Sequence, residues 1–257
     1  MFALMIRLFC ICLIFLLTGV AVAAPDFNLY YFFENNADPT VPANSGGATQ
    51  AMHFNADTRQ TTTQHKFGQG SMEVMGDPAD KLQHHAGFTS LLNEWNGAIH
   101  KMSVVTWIRP SLTSRELCVL SRIAYPAPEG TMLFRYFPTP YNCYSFSFVG
   151  KDRKFYGINS DKFLCVLGGE WMHMAMTFNE GKVAFYINGL PVGGTDLGNV
   201  FIPEIKAAAV LEGFYNLPRG SNVDDFGLFT DRVLSAADIE KIYNNGLDEF
   251  LKTKSSP

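Results

Sequence analysis

The chain has 257 residues, with 20 lysine and arginine side chains against 24 aspartate and glutamate side chains, which gives a formal net charge of −4 at pH 7. A weakly acidic chain lacks the basic surface typical of nucleic-acid-binding proteins, so we expect no nucleic-acid partner. No Pro/Gly/Ser-rich linker, charge block or internal repeat divides it. Since all-β domains of more than 200 residues are common, this pattern favours a single domain.

The first residues have the pattern of a secretory signal peptide. Arg7 precedes an apolar run over residues 8–17, and small residues lead to Pro25. The run is about half as long as a membrane span requires, so we expect no span after cleavage. The pattern therefore predicts a secreted protein, either extracellular or periplasmic. The predicted organisation is a signal peptide at 1–23, one domain at 24–251 and a flexible tail at 252–257.

Strand patterns recur along the rest of the chain, with turn residues between them. Asn179-Glu180-Gly181 and Asn188-Gly189 predict tight hairpin connections, because these residue types accept a positive φ. A succession of strands without intervening helices predicts an antiparallel sandwich rather than alternating βα units. The predicted strands are Asn28–Phe33, Ser71–Met75, Ser103–Arg109, Leu117–Ile123, Thr131–Phe137, Tyr144–Val149, Trp171–Phe178, Lys182–Asn188, Ala207–Phe214 and Val223–Phe229.

One short helix is predicted near the end of the chain. Ser235 offers an N-cap hydroxyl and Asp238 follows three residues later, close to a capping box. Ile239 and Ile242 form an apolar stripe at helical spacing. Gly246 predicts the end of the helix, because glycine adopts a left-handed conformation at little cost.

The cysteines leave two alternatives open. Cys10 and Cys12 lie in the predicted signal peptide, so Cys118, Cys143 and Cys165 remain in the mature chain. In an oxidising compartment three cysteines allow one disulfide and one thiol, with three pairings that the sequence does not separate. The alternative is three buried thiols, because a free cysteine in an apolar strand behaves as a small hydrophobic residue.

Three segments carry a resemblance to a known family. They are Val104–Pro110, the pair Trp171–Ala175 and Phe185–Gly189, and Val223–Phe229 followed by Arg232–Ser235. In order and spacing the chain resembles the laminin-G-like jelly rolls of the concanavalin A-like lectin/glucanase superfamily. The resemblance implies an all-β, two-sheet antiparallel jelly-roll sandwich with one short C-terminal helix. It also implies that a ligand binds on the concave sheet face or its rim loops.

Catalytic patterns are not found in the sequence, so we predict that the chain is not an enzyme. Glycosidases of this fold need two carboxylates at the cleft, and the only acidic pair led by an aspartate at i, i+2 is Asp238 and Glu240 on the predicted helix. Residues two apart on a helix do not share a face. His84-His85 lie in a loop-like stretch, and we interpret His173, within a strand, as a structural histidine with satisfied hydrogen bonds.

Calcium is the one cofactor that we expect, because many members of the family bind a hard cation between the N-terminal segment and the last strand. Glu34, Asp38 and Asp224 are the predicted metal ligands, since oxygen donors suit calcium. Asp224 and Asp225 are adjacent in a predicted strand, so we expect their side chains on opposite faces and only Asp224 at the metal. The alternative is that these acids are turn and edge residues.

Sugar binding requires an aromatic face for a pyranose ring and a few polar groups for its hydroxyls. Aromatic residues are dense around the Pro-rich turns between residues 125 and 144, and a second candidate lies near residue 95. Trp107 and Trp171 are assigned to the core. The predicted ligand-binding residues are Tyr125, Arg135, Tyr136, Tyr141, Asn142 and Trp95.

These observations predict a secreted, non-catalytic binding module whose partner is a glycan or an extracellular protein. A lectin-like carbohydrate-binding role is the first hypothesis. The alternative is an adhesive or structural protein–protein interaction domain, which exposed apolar sheet positions would favour. A polysaccharide hydrolase or lyase with an unrecognised site is the third possibility.

Overall fold

The computed structural model describes residues 28–34, 52–54, 58–75, 84–88, 97–111, 116–137, 140–161, 169–207, 210–215, 217–230 and 232–255. Its elements are β1 (Asn28–Tyr31), β2 (Met52–Phe54), β3 (Thr58–Thr61), β4 (Ser71–Val74), β5 (His84–Phe88), β6 (Lys101–Arg109), β7 (Leu117–Ile123), β8 (Met132–Phe137), β9 (Cys143–Val149), β10 (Phe155–Asn159), β11 (Met172–Asn179), β12 (Lys182–Ile187), β13 (Leu190–Asp196), β14 (Leu211–Tyr215), β15 (Asn222–Thr230), α1 (Ala236–Asn245) and α2 (Leu247–Ser255).

The strands form two sheets, and every pairing between them is antiparallel. The first sheet has the order β13-β12-β11-β6-β15-β4-β3, with β1 also beside β15. The second sheet has the order β10-β9-β8-β7-β14-β5-β2. A single large cluster of buried side chains from both sheets fills the space between them. The predicted two-sheet antiparallel sandwich is therefore confirmed.

Burial along the strands shows which faces are covered. β8 alternates, because Met132, Phe134 and Tyr136 enter the core while the residues between them lie on the outer face of the second sheet. Full burial of one such side chain stabilises the fold by about 1.5–3 kcal/mol. By contrast, the interior of β6 and the whole of β15 are buried at every position. Both faces of the first sheet are therefore covered at its centre.

The helices supply that second cover. Buried residues of α1 and α2, including Ile239, Ile242 and Phe250, form a separate cluster with outward-facing side chains of the first sheet. Ser235 and Asp238 make the predicted capping box. Gly246 ends α1 with a φ of 84°.

Two sequence predictions about secondary structure need correction. The chain continues beyond α1 as a second helix, so Lys252 to Ser255 are helical rather than a flexible tail. His84 and His85 lie in strand β5 and not in a loop. Neighbouring elements override weak local preferences in both cases, because β5 is held between β14 and β2 and the side chain of Phe250 is buried with the outer face of the first sheet.

The two hairpins predicted from glycine are present. β11 and β12 meet at the pair Asn179–Lys182, and the two residues between them, Glu180 and Gly181, both have positive φ. Asn188 and Gly189 have φ values of 49° and 80°. Type I′ turns require this conformation at both central positions.

Candidate functional site

One depression on the described surface lies at one end of the second sheet. It has a volume of about 720 Å³ and is formed by the β7–β8 loop, the β9–β10 turn and the segments 97–98 and 201–206. We call it the rim pocket. Its charged lining residues are Glu129, Lys151, Arg153, Glu204 and Lys206.

Direct backbone contacts hold the walls of the rim pocket together. The Ile99 N–H donates to the Ile202 carbonyl at 2.7 Å, and the Ile202 N–H donates back at 3.1 Å. Gly130 lies so close to the opposite wall that an added Cβ would be 2.4 Å from the carbonyl oxygen of Pro203. Gly130 also has a φ of 84° and donates to the Val149 carbonyl at 2.9 Å. Only glycine fits this position, where two walls of the rim pocket meet.

A tight turn presents two of the cations. The Gly150 N–H donates to the Lys154 carbonyl, and the Arg153 N–H donates to the Gly150 carbonyl at 3.0 Å. The Asp152 carboxylate accepts hydrogen bonds from the Lys154 N–H at 3.1 Å and from the Tyr156 hydroxyl at 3.2 Å. These bonds fix the turn, which places Lys151 and Arg153 at the pocket.

Two of the three cations in the lining are paired with acids. Arg153 Nε lies 3.5 Å from Glu129 Oε1, and Lys206 Nζ lies 3.7 Å from Glu204 Oε2. Lys151 makes no ion pair with any carboxylate of the described residues. Both pairs are largely exposed, so each contributes little to stability and leaves polar groups available to a ligand.

A buried ion pair lies near the pocket. Arg122 Nε is 3.3 Å from Glu212 Oε1, and the two side chains are 0% and 4% exposed. Burial lowers the pKa of Arg122, while Glu212 and, after it, Glu204 of the pocket wall raise it.

Two exposed aromatic side chains belong to neighbours of lining residues, although neither lines the rim pocket itself. Tyr125, which is 66% exposed, directly precedes the lining residue Pro126. Phe155 is 67% exposed and is the cross-strand partner of Val149, which also lines the pocket. Tyr125 was predicted from the sequence, whereas Phe155 was missed because the β10 pattern is short and broken by Gly157.

The other predicted ligand-binding residues do not lie beside Tyr125. Tyr141 and Asn142 lie at the opposite end of β8, at least about 17 Å away for a strand of six residues. Arg135 pairs with Glu116 at 3.0 Å and lies over the Phe137 ring, and Phe137 contacts Tyr141.

Tyr136 is only 2% exposed and packs in the core against Tyr144. The prediction that Tyr136 contacts a ligand is therefore corrected, because Tyr136 lies on the inner face of β8. Trp95 lies outside the described residues.

The acids predicted to bind calcium instead bind backbone amides. Asp224 Oδ2 accepts from the Lys66 and Phe67 N–H groups at 2.7 and 3.1 Å, and Asp224 Oδ1 accepts from the Asp225 N–H at 2.8 Å. Glu34 Oε2 accepts from the Gln69 N–H at 2.8 Å. Three backbone N–H groups thus donate to the Asp224 carboxylate, calcium binding stays a prediction, and Asp38 lies outside the described residues.

Asp225 also departs from its predicted orientation. The register of β15 against β6 shifts between Asp224 and Gly227, and Asp225 has a φ of 46°. This bulge brings Asp225 to the helix side, where its Oδ2 accepts from the Leu247 N–H at 3.0 Å. The expectation that the two aspartates point to opposite faces fails, because a bulge interrupts strand alternation.

Burial perturbs the titration of both aspartates. Desolvation and the neighbouring charge of Asp225 raise the pKa of Asp224, against the lowering effect of its backbone donors. Desolvation likewise raises the pKa of Asp225; the Leu247 N–H lowers it, and Glu34 and Asp248 raise it further. Folding therefore favours the protonated form of this pair.

We expect the free energy of unfolding to fall as the pH rises from about 4, the pKa of an unfolded aspartate, towards neutral and above. The folded pair binds protons that the unfolded chain has released, so its stabilising effect is lost as the pH passes through the raised pKa values. The slope is at most about 1.4 kcal/mol per pH unit for each proton. Urea unfolding at a series of pH values measures it. The variant Asp225→Asn, which keeps an acceptor for Leu247, should show a shallower slope, and an unchanged slope would contradict this assignment.

His173 is buried, as we predicted, but its hydrogen bonding differs from the prediction. Its ring packs against Trp107 and Tyr243, at 5.2 and 6.0 Å between ring centroids. Burial lowers its pKa to about 3, so it is neutral at physiological pH. Neither ring nitrogen has a hydrogen-bond partner among the described residues. The structural position is confirmed, whereas the predicted hydrogen bonds are not present there.

Trp107 is buried as expected, although beneath the helices rather than between the sheets. Its ring stacks on Tyr243, and Lys66 Nζ lies 4.4 Å from the ring centroid. Trp171 is only half-buried, which corrects its assignment to the core.

The structure reduces the number of possible disulfide pairings among the three cysteines. Cys118 is a buried thiol, and its Sγ donates to the carbonyls of Leu120 and Phe134 at 3.2 and 3.3 Å. Burial raises the pKa of this thiol. Pairings that include Cys118 are therefore not formed, and Cys165 lies outside the described residues.

The described part of the chain shows no pattern of a metal centre or of a membrane-spanning helix. It holds no group of three or more His, Cys, Asp or Glu side chains arranged to bind a metal ion. Its helices are too short or too polar to cross a membrane.

Comparison with known proteins defines the class. The family model described as "Concanavalin A-like lectin/glucanases superfamily" matches residues 80–240, more than half of the chain. The chain belongs to this superfamily, in its laminin-G-like branch. No curated protein matches in sequence.

Solved structures support the same fold. The binding domain of botulinum neurotoxin serotype G has a TM-score of 0.58 at 15% identity and is matched over 84% of this chain and 50% of that chain. The binding domain of Paraclostridial Mosquitocidal Protein 1 has a TM-score of 0.56 at 14% identity, over 85% and 51%. The chain thus spans about half the length of these toxin domains.

A third structure is similar over nearly its whole length. Domain 4 of AbnA, a GH43 extracellular arabinanase from Geobacillus stearothermophilus, was solved in complex with arabinotriose. It has a TM-score of 0.55 at 16% identity and is matched over 84% of this chain and 97% of that chain. At this identity the likeness shows the fold alone.

The charged residues of the rim pocket were missed by the sequence analysis. They come from three distant parts of the chain, around residues 129, 151–153 and 204–206. The one local signal was the charged run from Lys151 to Lys154 in a turn directly after a predicted strand.

Proposed function

We propose that the chain is a secreted, non-catalytic carbohydrate-binding domain whose site is the rim pocket. The observation that carries this proposal is the combination of two exposed aromatic rings, Tyr125 and Phe155, with a nearby depression whose lining includes five charged side chains. A pyranose or furanose ring presents apolar faces and hydroxyl edges, and this combination matches both.

The outer face of the second sheet favours a glycan over a protein partner. An adhesive surface would expose large apolar side chains in the middle of the sheet. β9, which lies between β10 and β8, instead carries Ser145 and Ser147 on that face, where both are buried, and Arg135 is their neighbour on β8. The exposed apolar residues Phe155 and Leu190 lie on the strands at the sheet edges.

The two carboxylates of the rim pocket are better suited to binding a sugar than to cleaving one. Glu129 and Glu204 each pair with a cation of the lining, as described above. A retaining or inverting glycosidase needs one carboxylic acid to donate a proton while a second carboxylate acts from the opposite side of the sugar. Two ion-paired glutamates serve better as hydrogen-bond acceptors for sugar hydroxyls.

A glycan array tests the proposal, and we expect at least one class of oligosaccharide to bind. Tyr125→Ala and Phe155→Ala should each weaken binding about tenfold, which corresponds to about 1.4 kcal/mol, because each removes a stacking face. Tyr141→Ala is the matched control, since Tyr141 is also an exposed aromatic residue but lies at the other end of β8. An array without binders, together with a protein captured specifically by the same chain, would instead support the adhesive alternative.

A further inference from the structure

The rim pocket carries an excess of positive charge in a chain whose net charge is negative. Lys151, Arg153 and Lys206 face two acids, Glu129 and Glu204. The nearby buried pair of Arg122 and Glu212 adds one charge of each sign and does not alter the balance. With three cations against two acids, one positive charge is left over in the lining, whereas the whole chain has a net charge of −4.

The excess charge belongs to a particular side chain. Arg153 and Lys206 each have an acidic partner in the lining, at 3.5 and 3.7 Å. Lys151 has none among the described carboxylates, although it lies on the same turn as Arg153. An ammonium group without a protein partner, held at a pocket by a hydrogen-bonded turn, is a ready partner for an anionic group of a ligand.

The acids of the pocket restrict where such a group can bind. Glu129 pairs with Arg153, and Glu204 pairs with Lys206. An anion placed against either glutamate would be repelled. On the Lys151 side, the nearest carboxylate in sequence is Asp152, which pairs with Lys154 and does not line the pocket, so an anionic oxygen can meet Lys151 there.

We propose that the glycan bound by the rim pocket is acidic and that its carboxylate or sulfate group pairs with Lys151. This inference rests on the proposed function, because it assigns the ligand class of the same site. The neutral part of the sugar would then pack on Tyr125 or Phe155, which are neighbours of lining residues.

Pairs of probes that share a sugar backbone and differ in charge distinguish the contribution of the anionic group from that of the sugar. Polygalacturonate and its fully methyl-esterified form share one backbone and differ in the carboxylate, and dextran sulfate and dextran differ in the sulfate. These four probes, beside a glycan array holding neutral, uronate-containing and sulfated oligosaccharides, should be measured with the wild type, Lys151→Gln and Lys241→Gln. Lys241 is an exposed lysine on α1, away from the pocket, and Lys241→Gln makes the same change in net charge.

The expected result is binding of uronate-containing or sulfated glycans, with Lys151→Gln weakening it about tenfold and Lys241→Gln leaving it unchanged. Binding to the charged member of a pair, and not to its neutral counterpart, identifies the anionic group. The affinity of the wild type should also fall as salt is raised from low to about 0.5 M, because screening weakens an exposed charge pair.

Three results would overturn the inference. If only neutral glycans bind, the proposed function stands and the acidic ligand is wrong. If acidic glycans bind the three proteins equally, the attraction is nonspecific and Lys151 has no assigned role. If no glycan of any class binds, the proposed function itself fails, and the inference with it.

Discussion

Asp224→Ala is expected to lower the free energy of unfolding by about 3 kcal/mol. The substitution leaves the N–H groups of Lys66, Phe67 and Asp225 without the carboxylate that now accepts their hydrogen bonds. It also releases the loop that carries Lys66 and Phe67 from the first sheet. Urea unfolding monitored by tryptophan fluorescence measures the loss, because Trp107 lies beneath this loop.

Asp225→Ala is the matched control and should cost about 1 kcal/mol. It removes the acceptor of one N–H group, that of Leu247, and relieves repulsion between two buried acids. Equal losses for the two variants would contradict the different roles that the hydrogen bonds give them.

The same pair of variants tests calcium. If an ion bound through Asp224 stabilised the fold, EDTA would lower the melting temperature of the wild type and not that of Asp224→Ala. The hydrogen bonds of Asp224 favour the other outcome, in which Asp224→Ala is destabilised equally with and without EDTA. A drop with EDTA in all three proteins would place the ion at other residues, with Glu34 and Asp38 as the first to substitute.

Arg122→Met and Glu212→Met should each lower the free energy of unfolding by about 3–5 kcal/mol. Either substitution leaves one charge buried without its partner, since both side chains are almost inaccessible to solvent. The double variant should recover most of the loss, because two methionines replace a desolvated ion pair with apolar packing. A double-mutant cycle by urea unfolding measures the coupling, and additive losses would show that the two charges act independently.

The central strands could be predicted because the pattern of apolar and polar residues in each strand reflects what covers its two faces. The interior of β6 reads as a continuous run of buried residues and β8 as an alternation, and both patterns follow from what covers each face. The strands that the sequence analysis missed, β2, β3, β5, β10 and β13, are short, polar or interrupted by glycine. Pairing with neighbours, rather than their own composition, makes them strands.

The candidate site was predicted only in part. Tyr125 was found because prolines mark its loop, but the neighbouring candidates were grouped by closeness in sequence. The two-residue period of a strand separates them, because Arg135 and Tyr136 are adjacent and point to opposite faces of β8. The alternation of Met132, Phe134 and Tyr136 was visible in the sequence and would have placed Tyr136 in the core.

The charges of the pocket depend on tertiary structure in a way that no local pattern shows. Glu129 and Arg153 belong to different loops, and Lys206 lies more than fifty residues further along the chain. The pairing of β8 with β9 and the close approach of Gly130 to Pro203 bring these segments to one place. Predicting the site from the sequence would have required the register of the second sheet.

The position of β15 sets the order in which the protein can assemble. This strand is among the last to be synthesised, yet it lies in the middle of the first sheet, where it joins β6 on one side to β4 and β1 on the other. Its partner residues are far apart in the chain, as with Asn222 and Arg109, which are separated by 113 positions. Closing loops of this length is slow, and it cannot begin until residue 222 is available. A nascent chain therefore cannot complete its first sheet before nearly all of it has been made.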